Sequence, residues 1–285
     1  MSGIAGRVWL PINTETGSLF RPRKSVAQHL DWRLPALLSA KRLQKRAAID
    51  KREVHVIDFY YAPTPNGWKV SIMLEECGLK YDTHLLKLNK GEQFSDEFLK
   101  ISPNAKMPAI IDNDVDGDPV SVFESGAILL YLAEKTGRFM PQDVLGRKET
   151  LEWLFWQVGN QGPLAGQLSH FVNYAPAGQD YARKRYGGEY ERNLAVLENR
   201  LADRPYILSE YSIADMISFP WVFVAKRLGK SLDEFPNVSA WRSRIKSRPA
   251  VIEAINLYKD MARRDDNAEN NSILFNQNAG HILRK

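Results

Sequence analysis

Three clusters in this chain carry residue types and spacings that suit thiol chemistry on a peptide. The first is Thr64-Pro65-Asn66-Gly67, a breaker-rich turn after a short run of β-formers. A hydroxyl and an amide there, above the start of a helix, donate hydrogen bonds to an anion such as a thiolate. Stabilising that anion lowers the thiol pKa, and the thiolate is the nucleophile. The same residues equally make a capping turn, since Thr, Asn, Pro and Gly all favour one. The second cluster is Met107-Pro108. A proline at a strand start withdraws a ladder donor. With a cis bond the turn exposes the N–H and C=O of Met107, so that an extended peptide adds as a short strand. An ordinary edge-strand proline is the alternative. The third is Ser121–Gly126, where a strand runs into a helix. Ser125 at the helix start offers backbone N–H groups and a positive dipole end to a carboxylate. Glu124 beside it offers a partner to an ammonium, and together they suit an amino-acid head. The plainer alternative makes Ser125 an N-cap and Glu124 a first-turn acid.

Other chemistries find little support. Cys77 is the single cysteine, so no intramolecular disulfide or CxxC pair exists. Its place on the apolar face of a helix reads as a small buried hydrophobe. His29, His55, His84, His170 and His281 are scattered without metal-ligand spacing, and no nucleotide-loop, zinc-protease or hydrolase-elbow motif occurs. No metal is expected. Ser212-Ile213-Ala214-Asp215 reads as a structural capping box. Trp153, Phe155 and Trp156 read as core or subunit packing.

The elements that must position these clusters follow from periodicity. Val54–Tyr60 is a buried strand, Trp68–Gly78 a helix, and Thr83–Leu88 a second strand. A short helix ends before Ser102-Pro103. Met107–Ile111 and Pro119–Val122 pair across an acidic turn, and Phe123–Thr136 is a helix closed by Gly137. The order βαβ then ββα gives a small mixed sheet. Beyond Gly146, helices are expected over Arg147–Gly159, Asp180–Asp203, Ser212–Leu228, Asn237–Ser247 and Pro249–Met261. The expected domains are a basic extension (1–52), a sheet domain (53–139), an all-helical domain (147–262) and a polar tail (263–285). Within that tail, RRDDNAENN reads as loosely held.

Composition agrees with a packed globular chain: 44% hydrophobic and 11% aromatic in 285 residues. No run of about 18 apolar residues offers a membrane span, and the opening residues lack the apolar core of a secretion signal. Charge is uneven. Residues 1–52 hold 11 basic against 3 acidic residues, a surplus of 8, which leaves 53–285 at −3 within a net of +5. The basic extension contains a possible amphipathic helix over Arg33–Arg52 and reads as a solvated or partner-covering arm, without a nucleic-acid partner.

In order and spacing these motifs resemble one family. The run Thr64-Pro65-Asn66-Gly67, Gly91-Glu92-Gln93-Phe94, Ser102–Ala109 and Phe123–Leu132, with Trp153–Gly159 and Tyr211–Asp215, is similar to the Nu-class glutathione transferases. That class includes bacterial disulfide-bond reductase-like members and fungal nitrogen-regulator-like ones, and the resemblance covers about Val54–Met261. It implies an α/β thioredoxin-like N-terminal domain, an all-α C-terminal domain, a homodimer and a cytoplasmic location. It also implies glutathione as co-substrate, with disulfide reduction or peroxidase activity on a small disulfide or peroxide. Carried over by position, Thr64 faces the glutathione sulfur with Asn66 beside it. Gln93 meets the glycyl end, Met107 before Pro108 pairs with the cysteinyl unit, and Glu124 and Ser125 hold the γ-glutamyl group. Arg185 resembles a helical-domain contact. Val158 departs from members that place a polar ligand contact there. The alternatives are a glutathione lyase or transferase acting on aromatic electrophiles such as aryl ethers, and a non-catalytic glutathione-binding regulator.

Overall fold

The computed structural model describes residues 57–262, 273–275 and 277–283. The basic stretch 1–52 with its expected helix, the start of the first expected strand (54–56) and the RRDDNAENN run (263–271) lie outside the described residues.

β1 (Ile57–Tyr61) lies inside a four-stranded sheet of order β2-β1-β3-β4. Alternation puts Ile57, Phe59 and Tyr61 in the core with no exposure. β2 (Tyr81–Leu85) runs parallel to β1, whereas β3 (Ala109–Asp112) and β4 (Val120–Phe123) add antiparallel. The ladder begins at Ala109, paired to Tyr60 and Phe123, two residues later than the sequence reading placed it. Pro108 has no N–H to pair, so Met107 is left beyond the register, and the Met107–Pro108 bond is cis.

Parallel neighbours need a crossover, supplied here by α1 (Pro65–Cys77). Thr64 caps it, its Oγ1 accepting from Gly67 N at 3.2 Å, and Pro65 occupies the first turn, where no N–H is needed. Gly78 ends it at φ 65°, a left-handed conformation that favours glycine. Gly67 through Leu74 are all buried. A helix buried along most of its length belongs between two layers, and α1 packs against α7 (Ile213–Phe223) and α9 (Pro249–Asn256), with Gly67 close to Tyr61 of β1. Polar ties reinforce that packing. Tyr61 donates to Leu257 O (3.2 Å), Ser71 to Ala254 O (3.3 Å), and Arg248 makes a two-pronged pair with Glu76 (2.5 and 2.8 Å). The helix that carries the Thr64 turn is thereby fixed to the helical half. Cys77 sits half-buried near Met73 and Thr136, and burial pushes its thiol pKa up, as suits a packing residue.

α2 (Asp96–Ile101) and α3 (Ser125–Thr136) complete the sheet half. The helical half comprises α4 (Val144–Trp156), α5 (Gly162–Asn173), α6 (Asp180–Arg200), α7, α8 (Pro236–Lys246) and α9. Periodicity in the sequence predicts a helix ending at Gly159 and does not predict α5. In the structure a π-turn over Gln157–Gln161 carries the chain from α4 into α5. Gly162-Pro163 looks like a break, yet proline is harmless in a first turn. Asp215 answers Ser212 in the expected capping box and also accepts from Ile207 N (2.9 Å) and Trp241 Nε1 (2.8 Å).

Candidate active site

A cleft of about 600 Å³ opens where the first βα turn, the loop before β3 and the start of α3 face α5 and α7. Thr64, Asn66, Gln93, Met107, Pro108, Glu124 and Ser125 all line it. The sequence clusters therefore converge on one site. Arg185 does not join them. It lies on α6, paired with Glu189 one turn on, and is not among the residues lining the cleft.

At the Thr64 turn the hydroxyl does two jobs. One lone pair accepts from Gly67 N, so the O–H proton is left to donate, and it points at Met107 Sδ, 3.5 Å away. A sulfur thus already occupies the acceptor position of this hydroxyl. Asn66 is oriented by Trp221, whose Nε1 donates to Asn66 Oδ1 at 3.3 Å. An indole nitrogen can only donate, which fixes the amide oxygen there and turns the two N–H donors of Nδ2 elsewhere. Gly67 lets the turn close: a Cβ at this position would sit 2.3 Å from Ala62 O.

The loop before β3 is held by Ser102, fully buried, whose Oγ donates to Lys106 O at 2.8 Å while Ala105 N bonds Ser102 O. Glu124, not Ser125, is the N-cap of α3, so the first-turn-acid alternative is corrected. Glu124 adopts φ 69° with ψ 117°, a positive φ uncommon outside glycine, and such positions cluster at functional sites. Its Oε1 accepts from Asn104 Nδ2 at 3.3 Å. Ser125 follows as the first helical residue, 8% exposed. Gln93 is buried, and among the described residues its Oε1 has no hydrogen-bond partner.

Other residues of the cleft were not singled out from sequence. Lys69, one turn along α1 from Pro65, is 3% exposed and donates to Gln157 Oε1 (2.9 Å) and Ser125 Oγ (3.4 Å). Burial lowers its pKa to about 7, with Glu124 acting in the opposite direction. The signal was present: Lys69 lies at i−4 from Met73 and shares its apolar side. Burial also lowers the pKa of Lys106, whose Nζ donates to Gln277 at 2.8 Å. The segment expected as a polar tail thus returns to the cleft. Leu274, Phe275 and Gln277 line it, and the Phe275 ring lies 4.7 Å from that of His170 and 5.0 Å from that of Tyr174.

Comparison with known proteins gives this geometry a lineage. The glutathione S-transferase N-terminal domain matches residues 55–134, and the C-terminal domain matches 170–249. The disulfide-bond oxidoreductase YfcG of Escherichia coli (strain K12) is 50% identical over 203 residues, 70% of this chain and 94% of that protein. The chain belongs to the glutathione S-transferase family. As a glutathione transferase it is an enzyme, of Nu-class type, and the thioredoxin-like sheet half followed by an all-helical half is the family architecture. A glutathione transferase from Burkholderia graminis, solved with two glutathione molecules per subunit, superposes with a TM-score of 0.67 at 43% identity. It covers 78% of this chain and 95% of that one. A glutathione transferase from Pseudomonas putida with one glutathione disulfide per subunit gives 0.68 at 40% identity, over 75% and 96%. Among the described residues, no group of three or more His, Cys, Asp or Glu side chains is arranged to hold a metal ion, and no helix is long and apolar enough to cross a membrane.

Proposed function

We propose that this protein is a glutathione-dependent disulfide-bond oxidoreductase in which Thr64 and Asn66 activate the thiolate of bound glutathione. One observation carries the reading. The Thr64 hydroxyl donates to Met107 Sδ, Asn66 lines the same cleft with its amide oxygen held by Trp221, and Met107 itself lies beyond the ladder of β3. Glutathione lies extended along Met107 as an added strand. Its γ-glutamyl head rests on Glu124 and Ser125, its glycyl end reaches Gln93, and its sulfur displaces Met107 Sδ from the Thr64 hydroxyl. Charge-assisted hydrogen bonds to the sulfur favour the thiolate.

The thiolate attacks one sulfur of a small disulfide. A bond forms between the two sulfurs, the old S–S bond breaks, and the departing thiolate takes a proton from solvent. A second glutathione thiolate then attacks the mixed disulfide, giving oxidised glutathione and the second product thiol. No protein cysteine takes part, in keeping with the raised pKa of Cys77. With a peroxide, attack on oxygen gives an alcohol and a glutathione sulfenic acid, which a second glutathione converts to the disulfide and water. The cleft volume, the two glutathiones in the Burkholderia graminis relative and the disulfide in the Pseudomonas putida relative support a site that takes both halves of oxidised glutathione. Glutathione is thus the co-substrate, needing no metal. We take 53–139 as its binding domain and 147–262 as the helical domain of a homodimeric, cytoplasmic enzyme.

Tyr174, Trp221 and Phe275 along the acceptor side favour a second reading, thiolate attack on an aromatic electrophile such as an aryl ether. The test is formation of oxidised glutathione from reduced glutathione and a small symmetrical disulfide, beside turnover of a chloro-nitrobenzene. Thr64→Ala and Asn66→Ala are expected to lose most disulfide turnover. Full activity in both variants overturns the assignment, and faster turnover of the aromatic substrate supports the second reading.

A further inference from the structure

Lys69 is a cation placed where the fold has least means to keep one. It is 3% exposed, on a helix buried on all sides, and its Nζ bonds two neutral oxygens: Gln157 Oε1 at 2.9 Å and Ser125 Oγ at 3.4 Å. Those partners come from the π-turn and from the start of α3, so one side chain ties three elements together beneath the cleft. A buried ammonium without an ion pair is costly and tends to lose its proton. Glu124 is the charged group that acts on it. The acids of α1 are engaged elsewhere, Glu75 by Tyr81 and Glu76 by Arg248. From α7, Asp215 is taken by Ser212, Ile207 and Trp241, and the π-turn brings only Gln157 and Gln161 as buried polar groups. Among the described residues, the buried Nε2 of Gln157 has no partner. The cluster has donors to spare, and among the described residues the anion that acts on it is Glu124.

We propose that Lys69 is a positioning residue for the γ-glutamyl carboxylate of glutathione, holding Ser125 and Gln157 in place and taking up a proton when that carboxylate arrives. The inference rests on the glutathione reading above and adds its regulation by pH. In the ligand-free protein the lysine is half neutral near pH 7. A carboxylate seated at the start of α3 favours the charged form, so the pKa in the complex is higher than in the free protein. Binding therefore consumes a proton between these two pKa values. Affinity is fully expressed below pH 7 and weakens as pH rises above it, by up to about tenfold per pH unit until the pKa of the complex is reached. Lys106, on the opposite wall, bonds Gln277 and does not face this pair.

The probe is S-methylglutathione, whose sulfur carries no thiol proton, titrated by calorimetry at pH 7.5 in phosphate and in Tris buffer. These buffers differ in ionisation enthalpy, so the difference in heat counts protons. A free pKa of about 7 leaves roughly three-quarters of the sites neutral at pH 7.5, and the expected uptake approaches about 0.7 proton per subunit. Lys69→Met, checked for folding by circular dichroism, is expected to abolish the uptake and to weaken binding at pH 6.5 about tenfold or more. The wild-type proton count stands without the variant. Binding with no proton uptake in the wild-type protein overturns the proposal, as does Lys69→Met that retains the wild-type pH dependence of affinity. Absence of any binding heat overturns the glutathione reading itself.

Discussion

Replacing Thr64 by valine removes a hydroxyl that stands both at the N-terminus of α1 and at the sulfur end of the cleft, and the two losses are separable. As a cap, Oγ1 accepts from Gly67 N at 3.2 Å, and losing such a bond costs about 1 kcal/mol of stability. As a donor, the same hydroxyl gives its proton to Met107 Sδ, and in the proposed function it donates to the glutathione thiolate on binding. A hydrogen bond to a charged acceptor is worth about 1.5–3 kcal/mol. At about 1.4 kcal/mol per pKa unit, its loss raises the pKa of the bound thiol by roughly one to two units. Turnover of a small disulfide at neutral pH then falls about 10- to 100-fold, while a high-pH assay recovers much of the rate. Thiolate absorbance of bound glutathione, followed against pH, reads the pKa directly. Thr64→Ser keeps both bonds and is expected to match the parent within a few-fold. If Thr64→Val melts earlier but leaves the bound thiol pKa unchanged, the hydroxyl is only a cap and the activation argument fails.

Trp221→Phe frees the Asn66 amide to turn. It is expected to lower kcat for disulfide reduction about tenfold with little change in glutathione affinity, and an unchanged kcat would show that the indole does not orient the amide. Asp215→Ala leaves the Ile207 N–H, the Ser212 N–H and Trp241 Nε1 without their acceptor. At about 1–3 kcal/mol for each of these three unmet buried donors, denaturant unfolding is expected to show a loss of roughly 3–9 kcal/mol, and a loss below about 1 kcal/mol contradicts the role. Phe275→Ala opens the acceptor side against His170 and Tyr174. It is expected to raise turnover of a bulky glutathionylated peptide relative to a small disulfide, and an unaltered ratio refutes a role in selecting acceptors.

The order of elements could be read from alternation and breakers because this sheet half obeys them strongly. β1 alternates, α1 has its cap and stop, and Pro108 marks the ladder start. Convergence of the three clusters was readable for the same reason, since each sits at an element end and the ends of a βαβ-ββα sheet meet. What escaped depends on long-range packing. The π-turn satisfies helical bonds through a stretch whose glycines suggest a break, so α5 went unseen although its residues form one wall of the cleft. Lys69 shares the apolar side of α1 in the sequence, but its partners Gln157 and Ser125 come from elements 88 and 56 residues later. Glu124 takes the cap position with a backbone conformation that no local rule assigns to a glutamate. Leu274 and Phe275 follow a polar run, and the place of Phe275 at the cleft depends on the rings of His170 and Tyr174 about a hundred residues earlier.

The most direct test is a crystal structure of the protein with reduced glutathione. The tripeptide is expected to pair its cysteinyl backbone with Met107, with its sulfur within hydrogen-bond reach of Thr64 Oγ1 and Asn66 Nδ2 and Met107 Sδ displaced. A sulfur pointing away from both side chains, or a glutathione seated elsewhere, contradicts the account.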